Sequence, residues 1–484
     1  MKGSLLSFLI VSTAGAQAVP GLGTGSFPTS TTVPAAQRAF ARGVLLLHLF
    51  EYESAAAAFG EARRLDAGMS MAYWGEAMTH THPVWNEQDV AAGRAVLTHA
   101  PQARTERERA YLEAVGLLYG TGPKPRRDTV YSLAMRRLVA ANPADDEARL
   151  FYALSLLGLS QGVRQVPTYL RAAAIAESVF ARHPRHPGAA HYWIHGMDDP
   201  EHAAGALRAA RALGGIAPAA GHAQHMTSHI FVALGLWDDV VGANERAVEV
   251  GHHHSSCGHY DAFLHYGYLE QGRLAHATRL LTACRDQTDG SAPGNARLDP
   301  DTYSFITMWS RHLLDTEDWS GAVARWSVDP GAAPAPRLSY WFTRALAAAR
   351  QNDSVAARRS FAEFERARRD VDAAIPRAAG VPSPEDREFL TRTEVLRLEL
   401  VGVIDGAVDT VRAAAALEDR MAYAFGPPFV NQPAHELLAR ELLLAGWPAE
   451  ARDEYTIALT RAPRRASALL GLARAEAAAG DRAP

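Results

Sequence analysis

The feature that most limits what this 484-residue chain can fold into is a pair of amphipathic helices recurring at intervals of about 34 residues. Residues 434–463 (AHELLARELLLAGWPAEARDEYTIALTRAP) carry it most fully. Ala439 is the small contact residue of the first helix, and Gly446 ends that helix, where glycine tolerates a left-handed backbone. Ala451 lets the second helix approach closely, Tyr455 and Ala458 extend its buried face, and Pro463 stops it. Gly43, Ala55, Phe59 and Ala62 repeat the logic near the start of the chain. Ala345, Ala357 and Phe361 repeat it in the second half. Looser units place Ser228, Gly235, Trp237 and Ala247, then Gly272 and Ala277, at the corresponding positions. No run of residues alternates as a strand would. One helical pair is too small to bury its own apolar face, so the pairs must stack into a continuous core.

On these residues the chain resembles the tetratricopeptide repeat superfamily, with about eleven helical pairs over most of its length. The resemblance implies an all-α fold: a right-handed solenoid of stacked antiparallel helix pairs whose first helices line a concave groove. The chain is also similar to exported bacterial repeat proteins with an HxxHxxSH-type segment, here His222 to His229, and a C-terminal GPP…P-x-H-E segment, here Gly426-Pro427-Pro428 to Glu436. That second likeness brings no activity with it.

Residues 1–18 read as a secretory signal: Lys2, an apolar core from Leu5 to Val11, and an A-x-A cleavage site at Ala16-Gln17-Ala18. Export to the periplasm or beyond follows as an expectation. Residues 19–34, rich in Gly, Ser, Thr and Pro, read as a flexible linker. Repeats are expected over 35–286 and 302–484, separated by a Pro/Gly-rich loop at 287–301, with Ala466 to Gly480 as a capping helix. No later stretch reaches the ~20 apolar residues of a membrane span. The net charge of −4 offers no basic footprint for nucleic acid. No nucleotide or flavin motif is present. Cys257 and Cys284 are open to a disulfide, to metal ligation at Cys257, or to a buried thiol at Cys284.

Thirteen of the 20 histidines lie between His183 and His265, where an even spread would put about 3. His191 and His195 stand at i, i+4 on one first helix, and His222, His225 and His229 form a stripe on the next. One ion could take two of that stripe, not easily all three. His259 opens the following first helix, which also carries Asp261 and His265. His191, His195, His222, His225, His229, His259 and His265 are therefore the candidate metal ligands. Asp198, Asp199 and Asp261 are oxygen donors at hand, and Thr227 and Ser228 are candidate partners for the rings. An imidazole-rich shell suits Zn, Cu, Fe or Ni. His183, His186 and His202 read as surface, and His252 to His254 as a helix-end run. His82, Trp85, Asp261, Glu436 and Arg440 are candidate groove residues. Two functions follow. One is an exported solenoid that binds a protein, peptide or small molecule in its groove. The other is a metal-binding protein or metalloenzyme with a mono- or dinuclear histidine site there.

Overall fold

The computed structural model describes residues 17–251, 257–289, 300–331, 333–378 and 380–480. These fold into α-helices with three short two-stranded hairpins. The first half holds α1 (Pro34–His48) with α2 (Tyr52–Leu65), α3 (Ser70–Met78) with α4 (Val90–Thr98), α5 (Glu106–Leu118) with α6 (Lys124–Ala141), and α7 (Asp146–Gly158) with α8 (Val166–Arg182). Then come α9 (Pro187–Gly196) with α10 (Leu207–Ile216), α11 (Gly221–Ala233) with α12 (Trp237–Val250), and α13 (His259–Glu270) with α14 (Leu274–Asp289). The second half runs through α15 (Pro300–Thr316), α16 (Pro334–Arg350) with α17 (Ser354–Ala374), α18 (Pro384–Asp405) with α19 (Val408–Glu418), α20 (Ala434–Leu444) with α21 (Pro448–Arg461), and the last helix α22 (Ala466–Ala479).

Helix starts are written in the sequence. Asp89, Thr105, Asp145, Asp353 and Ser383 each accept a hydrogen bond from a backbone N–H of the first turn of the helix they cap. Helices pack on their sequence neighbours, α4 and α5 excepted, and first helices also pack on first helices: α7 on α9, α9 on α11, α16 on α18, α18 on α20. That second set of contacts makes the stack a solenoid. The small residues sit at the close approaches. Ala55, Ala345, Ala357, Ala439 and Ala451 are all essentially inaccessible. The core is continuous from Leu22 to Tyr266 and again from Leu314 to Ala475, with a smaller cluster around Trp309 between them.

The C-terminal end of the stack folds back onto its middle. Trp237 Nε1 donates to Arg464 O at 2.9 Å, and Tyr423 OH donates to Glu201 at 3.0 Å. Gly235 has φ +64° and lies so close to Pro463 that a Cβ there would come within 2.2 Å of the Pro463 carbonyl oxygen. The junction holds a fully buried Arg465. Its guanidinium reaches Glu270 at 2.9 Å, Glu436 at 2.7 Å, Asp315 at 2.5 Å and Tyr266 OH at 3.3 Å.

One expectation is overturned. Residues 19–34 are not a flexible linker. Gln17–Val19 pairs antiparallel with Gly23–Gly25, and Thr24 N donates to Arg185 O at 3.0 Å. Leu22 and Phe27 are buried, and the Phe27 ring lies 5.0–5.4 Å from the rings of Phe40, Trp74 and Tyr111. Two apolar side chains, Leu22 and Phe27, outweigh the loop-like composition around them. Residues 1–16 of the expected leader lie outside the described residues. The expected break at 287–301 falls where α14 ends and α15 begins, and 290–299 lie outside the described residues.

Cys257 and Cys284 form a disulfide across 27 residues, tying the start of α13 to α14. Chain-entropy arguments put such a cross-link at about 3.5 kcal/mol. Replacing both cysteines with serine is expected to lower the guanidinium midpoint by that equivalent. Reductant should shift the wild type by the same amount and leave the double variant unmoved.

Candidate metal centre

His191, His225 and His259 stand 34 residues apart, one repeat each, on α9, α11 and α13. His195 and His229 follow the first two by one helical turn. Repeat stacking therefore superposes these positions, and the rings converge. Two triads result: His191, His195 and His222, and His225, His229 and His259. Within each, one ligand atom per residue lies within 4.8 Å of the others. The triads adjoin, with His222 and His225 ring centres 6.1 Å apart and His195 and His229 6.3 Å apart. The α11 stripe is thus divided: His222 turns to the α9 pair, while His225 and His229 face α13.

The hydrogen bonds fix which ring nitrogens are free. His191 Nδ1 donates to the His48 carbonyl at 2.7 Å. His225 Nδ1 meets Asn244 Oδ1 at 2.7 Å, and Asn244 Nδ2 donates to Val240 O, so that amide oxygen is an acceptor. His229 Nδ1 donates to Asp198 Oδ2 at 2.6 Å. Each Nδ1 therefore carries the proton, and each Nε2 a lone pair. In the first triad the Nε2 atoms of His191, His195 and His222 are all buried without a hydrogen-bond partner. In the second, the Nε2 atoms of His225 and His229 face each other at 3.0 Å. That distance suits a proton held between the two nitrogens, or one cation bound to both. Two nitrogens on one ion at ~2.0–2.1 Å sit about 2.9 Å apart at a right angle and about 3.3 Å apart at a tetrahedral angle. Nδ1 anchored by a carbonyl or carboxylate, with Nε2 free, is the usual arrangement of a metal-binding histidine.

Burial keeps His191, His195, His222 and His225 neutral. Desolvation lowers His191 to about 3, with His229 adding to it against the His48 carbonyl. Desolvation followed by neighbouring histidines holds His195, His222 and His225 well below the ordinary imidazole value. Neutral imidazole is the metal-binding form.

Around the first triad stands an aromatic shell. Phe50 lies 4.4 Å from His191, 5.6 Å from His195 and 5.5 Å from His222, between ring centres. Its φ of +58° places a bulky residue in the left-handed region, at a cost of order 1–3 kcal/mol. His82 and Trp85 come from the Thr81–His82 and Glu87–Gln88 hairpin, beyond the end of α3. His82 stacks on Tyr52 at 3.9 Å, and Trp85 covers His222 at 5.6 Å. The second triad is more open: His259 is exposed, and Phe425 stacks on His229 at 5.3 Å from the loop before α20.

Several singled-out residues lie elsewhere. His265 pairs with His312 at 3.3 Å rather than joining a triad. Asp261 accepts from Gly258 N at the start of α13. Asp199 is held by Arg164 at 2.7 Å and by His202. Thr227 and Ser228 donate to backbone carbonyls of their own helix, so Asn244 and Asp198 are the ring partners instead. Glu436 joins the Arg465 junction, and Arg440 pairs with Glu317. His186 is not on the surface. It is buried with His48 and Glu147, where His48 Nε2 meets Glu147 at 2.7 Å and His186 Nε2 meets it at 3.1 Å. Desolvation would raise Glu147, but His186 and His48 hold it well below the carboxylate range. Every ring nitrogen of that trio is engaged, since Tyr192 OH meets His48 Nδ1 and Ala189 N donates to His186 Nδ1. It is a closed network that positions the His48 carbonyl. His252 to His254 lie outside the described residues. Sequence reading missed His48, Phe50, Asn244, Asp198 as a ring partner, and Phe425. The 34-residue register of His191, His225 and His259 was the available signal for the triads.

The fold is an all-α solenoid of stacked antiparallel helical pairs. No family model matches the chain, and neither does any curated protein. Solved structures do match it along most of its length. The human IFIT1 dimer with m7Gppp-AAAA is 12% identical over 94% of this chain and 92% of that one, with a TM-score of 0.38. Yeast Tom70 is 10% identical over 93% and 90%, with a TM-score of 0.36. The P58(IPK) TPR domain is 12% identical over 92% and 98%, with a TM-score of 0.23. The helix-pair architecture rests on this chain's own packing. No described helix is long and apolar enough to cross a membrane.

Proposed function

We propose that this protein binds transition metal, one ion in each histidine triad. The observation that carries the reading is the set of three buried, unpartnered Nε2 atoms on His191, His195 and His222. Burying a polar atom with no partner costs of order 1–3 kcal/mol, and an ion shared by three such atoms recovers that cost. Zn, Cu and Fe all suit an all-imidazole donor set. Three protein ligands per ion leave a fourth position, the pattern of catalytic rather than closed structural sites.

Elemental analysis of protein supplied with each metal is the test. Two ions per chain are expected. His191→Ala or His195→Ala should remove one, and His225→Ala or His229→Ala the other. At a free metal concentration 100 times Kd, binding adds about 2.7 kcal/mol of stability, which chelation should withdraw. Absence of stoichiometric metal, with unfolding insensitive to chelator, would sink the reading.

The same proposal places the protein outside the cytoplasm, supported by the leader-like N-terminus and the disulfide. Fractionation with N-terminal sequencing tests it, and a mature start near Val19 is expected. The groove ligand in this reading is a small molecule rather than a protein or peptide, because the loop bearing Tyr423, Phe425 and Gly426 already covers α11 and α13.

A further inference from the structure

Between the ends of α9 and α11 and the loop before α20 lies a small cleft of about 90 Å³. Its walls are largely apolar, with Val232, Met421, Pro428, Phe429 and Val430 among them. It also holds charged groups, but they are engaged. Asp199 pairs with Arg164, Arg461 with Asp419 at 3.1 Å, and Arg465 with Glu270, Asp315 and Glu436. His435 sits between Glu454 and Asp419, and Glu418 accepts from Ala434 N at 2.7 Å. Asp198 differs. It is 2% exposed, and its Oδ2 accepts from His229 Nδ1, yet its Oδ1 has no partner.

We propose that this cleft binds an organic amine with an apolar body, its ammonium directed at Asp198 Oδ1. A cationic donor supplies the missing hydrogen bond and neutralises the carboxylate. The apolar walls take the rest of the molecule, and a carboxylate of the same shape is repelled. Asp198 would then touch both the ligand and the ring of His229, so an amine in the cleft lies one side chain from the second triad. The inference rests on the small-molecule reading of the groove, but not on metal loading.

Calorimetric titration of the chelated protein with phenethylamine and with phenylacetate, its anionic counterpart, provides the test. Phenethylamine should bind at least tenfold more tightly than phenylacetate. Asp198→Asn, whose amide oxygen can still accept from His229 Nδ1, should weaken phenethylamine at least tenfold. Ala422→Trp, which narrows the cleft from the loop side, should abolish binding; Val232→Trp does the same from α11. Equal affinity for the two probes, or an Asp198→Asn variant that binds amine as wild type does, overturns the amine assignment while leaving a small-molecule cleft. Binding that survives both tryptophan variants, or no binding of either probe, overturns the cleft itself. Metal content, measured separately on the Ala422→Trp variant, which leaves Asp198 in place beside His229, reports on the triads.

Discussion

At pH 5.5 the metal-free protein is expected to be about 7 kcal/mol less stable than at pH 7.5. Five fully buried histidines carry the effect: His191, His195, His222, His225 and His265. Desolvation by burial lowers each of them, with neighbouring histidines next for the last four and, for His191, a smaller push from His229. In the unfolded chain each ring takes up a proton near the ordinary value of ~6.5. Below that pH the unfolded state binds more protons than the folded one, so stability falls as pH falls. The loss begins near the unfolded value and continues down toward the lowered folded values. One unit below 6.5 each ring contributes about 1.4 kcal/mol, and five sum to about 7, comparable to the whole stability of an ordinary domain. Guanidinium unfolding of chelated protein at the two pH values measures it. Metal on the Nε2 atoms blocks protonation, so loaded protein should hold its midpoint to lower pH. A chelated midpoint that barely moves between pH 7.5 and 5.5 would show that the rings are solvated, and the buried-triad geometry would fall with it.

Arg465→Met is expected to cost about 3–5 kcal/mol, because it strands buried carboxylates rather than because it removes attraction. Glu270, Asp315 and Glu436 all converge on the guanidinium, and Glu270 also accepts from Ala466 N at 2.6 Å. These groups come from α13, α15, α20 and the turn into α22, so the residue joins the two halves of the curled stack. A second variant separates charge from packing. Arg465→Met placed on a Glu270→Gln, Asp315→Asn, Glu436→Gln background should cost much less than in the wild type, since few charges remain to be stranded. Equal costs on both backgrounds would mean that the junction is held by shape alone.

The histidine triads are partly legible in the amino-acid sequence. Six of the seven histidines proposed as ligands meet, because helical repeats of constant length return the same position to the same place. His191, His225 and His259 differ by one repeat, and i, i+4 steps add His195 and His229. His265 fails for a local reason: on α13 it faces His312 of α15 rather than α11. Glu436 does line the cleft before α20, but held by Arg465, while Arg440 pairs with Glu317. The stretch from 19 to 34 fails because composition counts residues, whereas packing depends on which ones reach the core. There Phe27 alone meets three rings.

Sequence by itself determined the all-α class, the pairing of helices and the shared register of the histidines, since periodicity and small contact residues are local properties. Tertiary structure alone decided what makes the histidines a site. The His48 carbonyl that orients His191 lies 143 residues away along the chain, and Glu270, which faces Arg465, lies 195 residues away. The left-handed Phe50 wedge and the Phe425 cover likewise exist only once the stack has curled. Which nitrogen keeps its lone pair, and which carboxylate oxygen is left without a partner, depends on neighbours that no spacing in the sequence encodes.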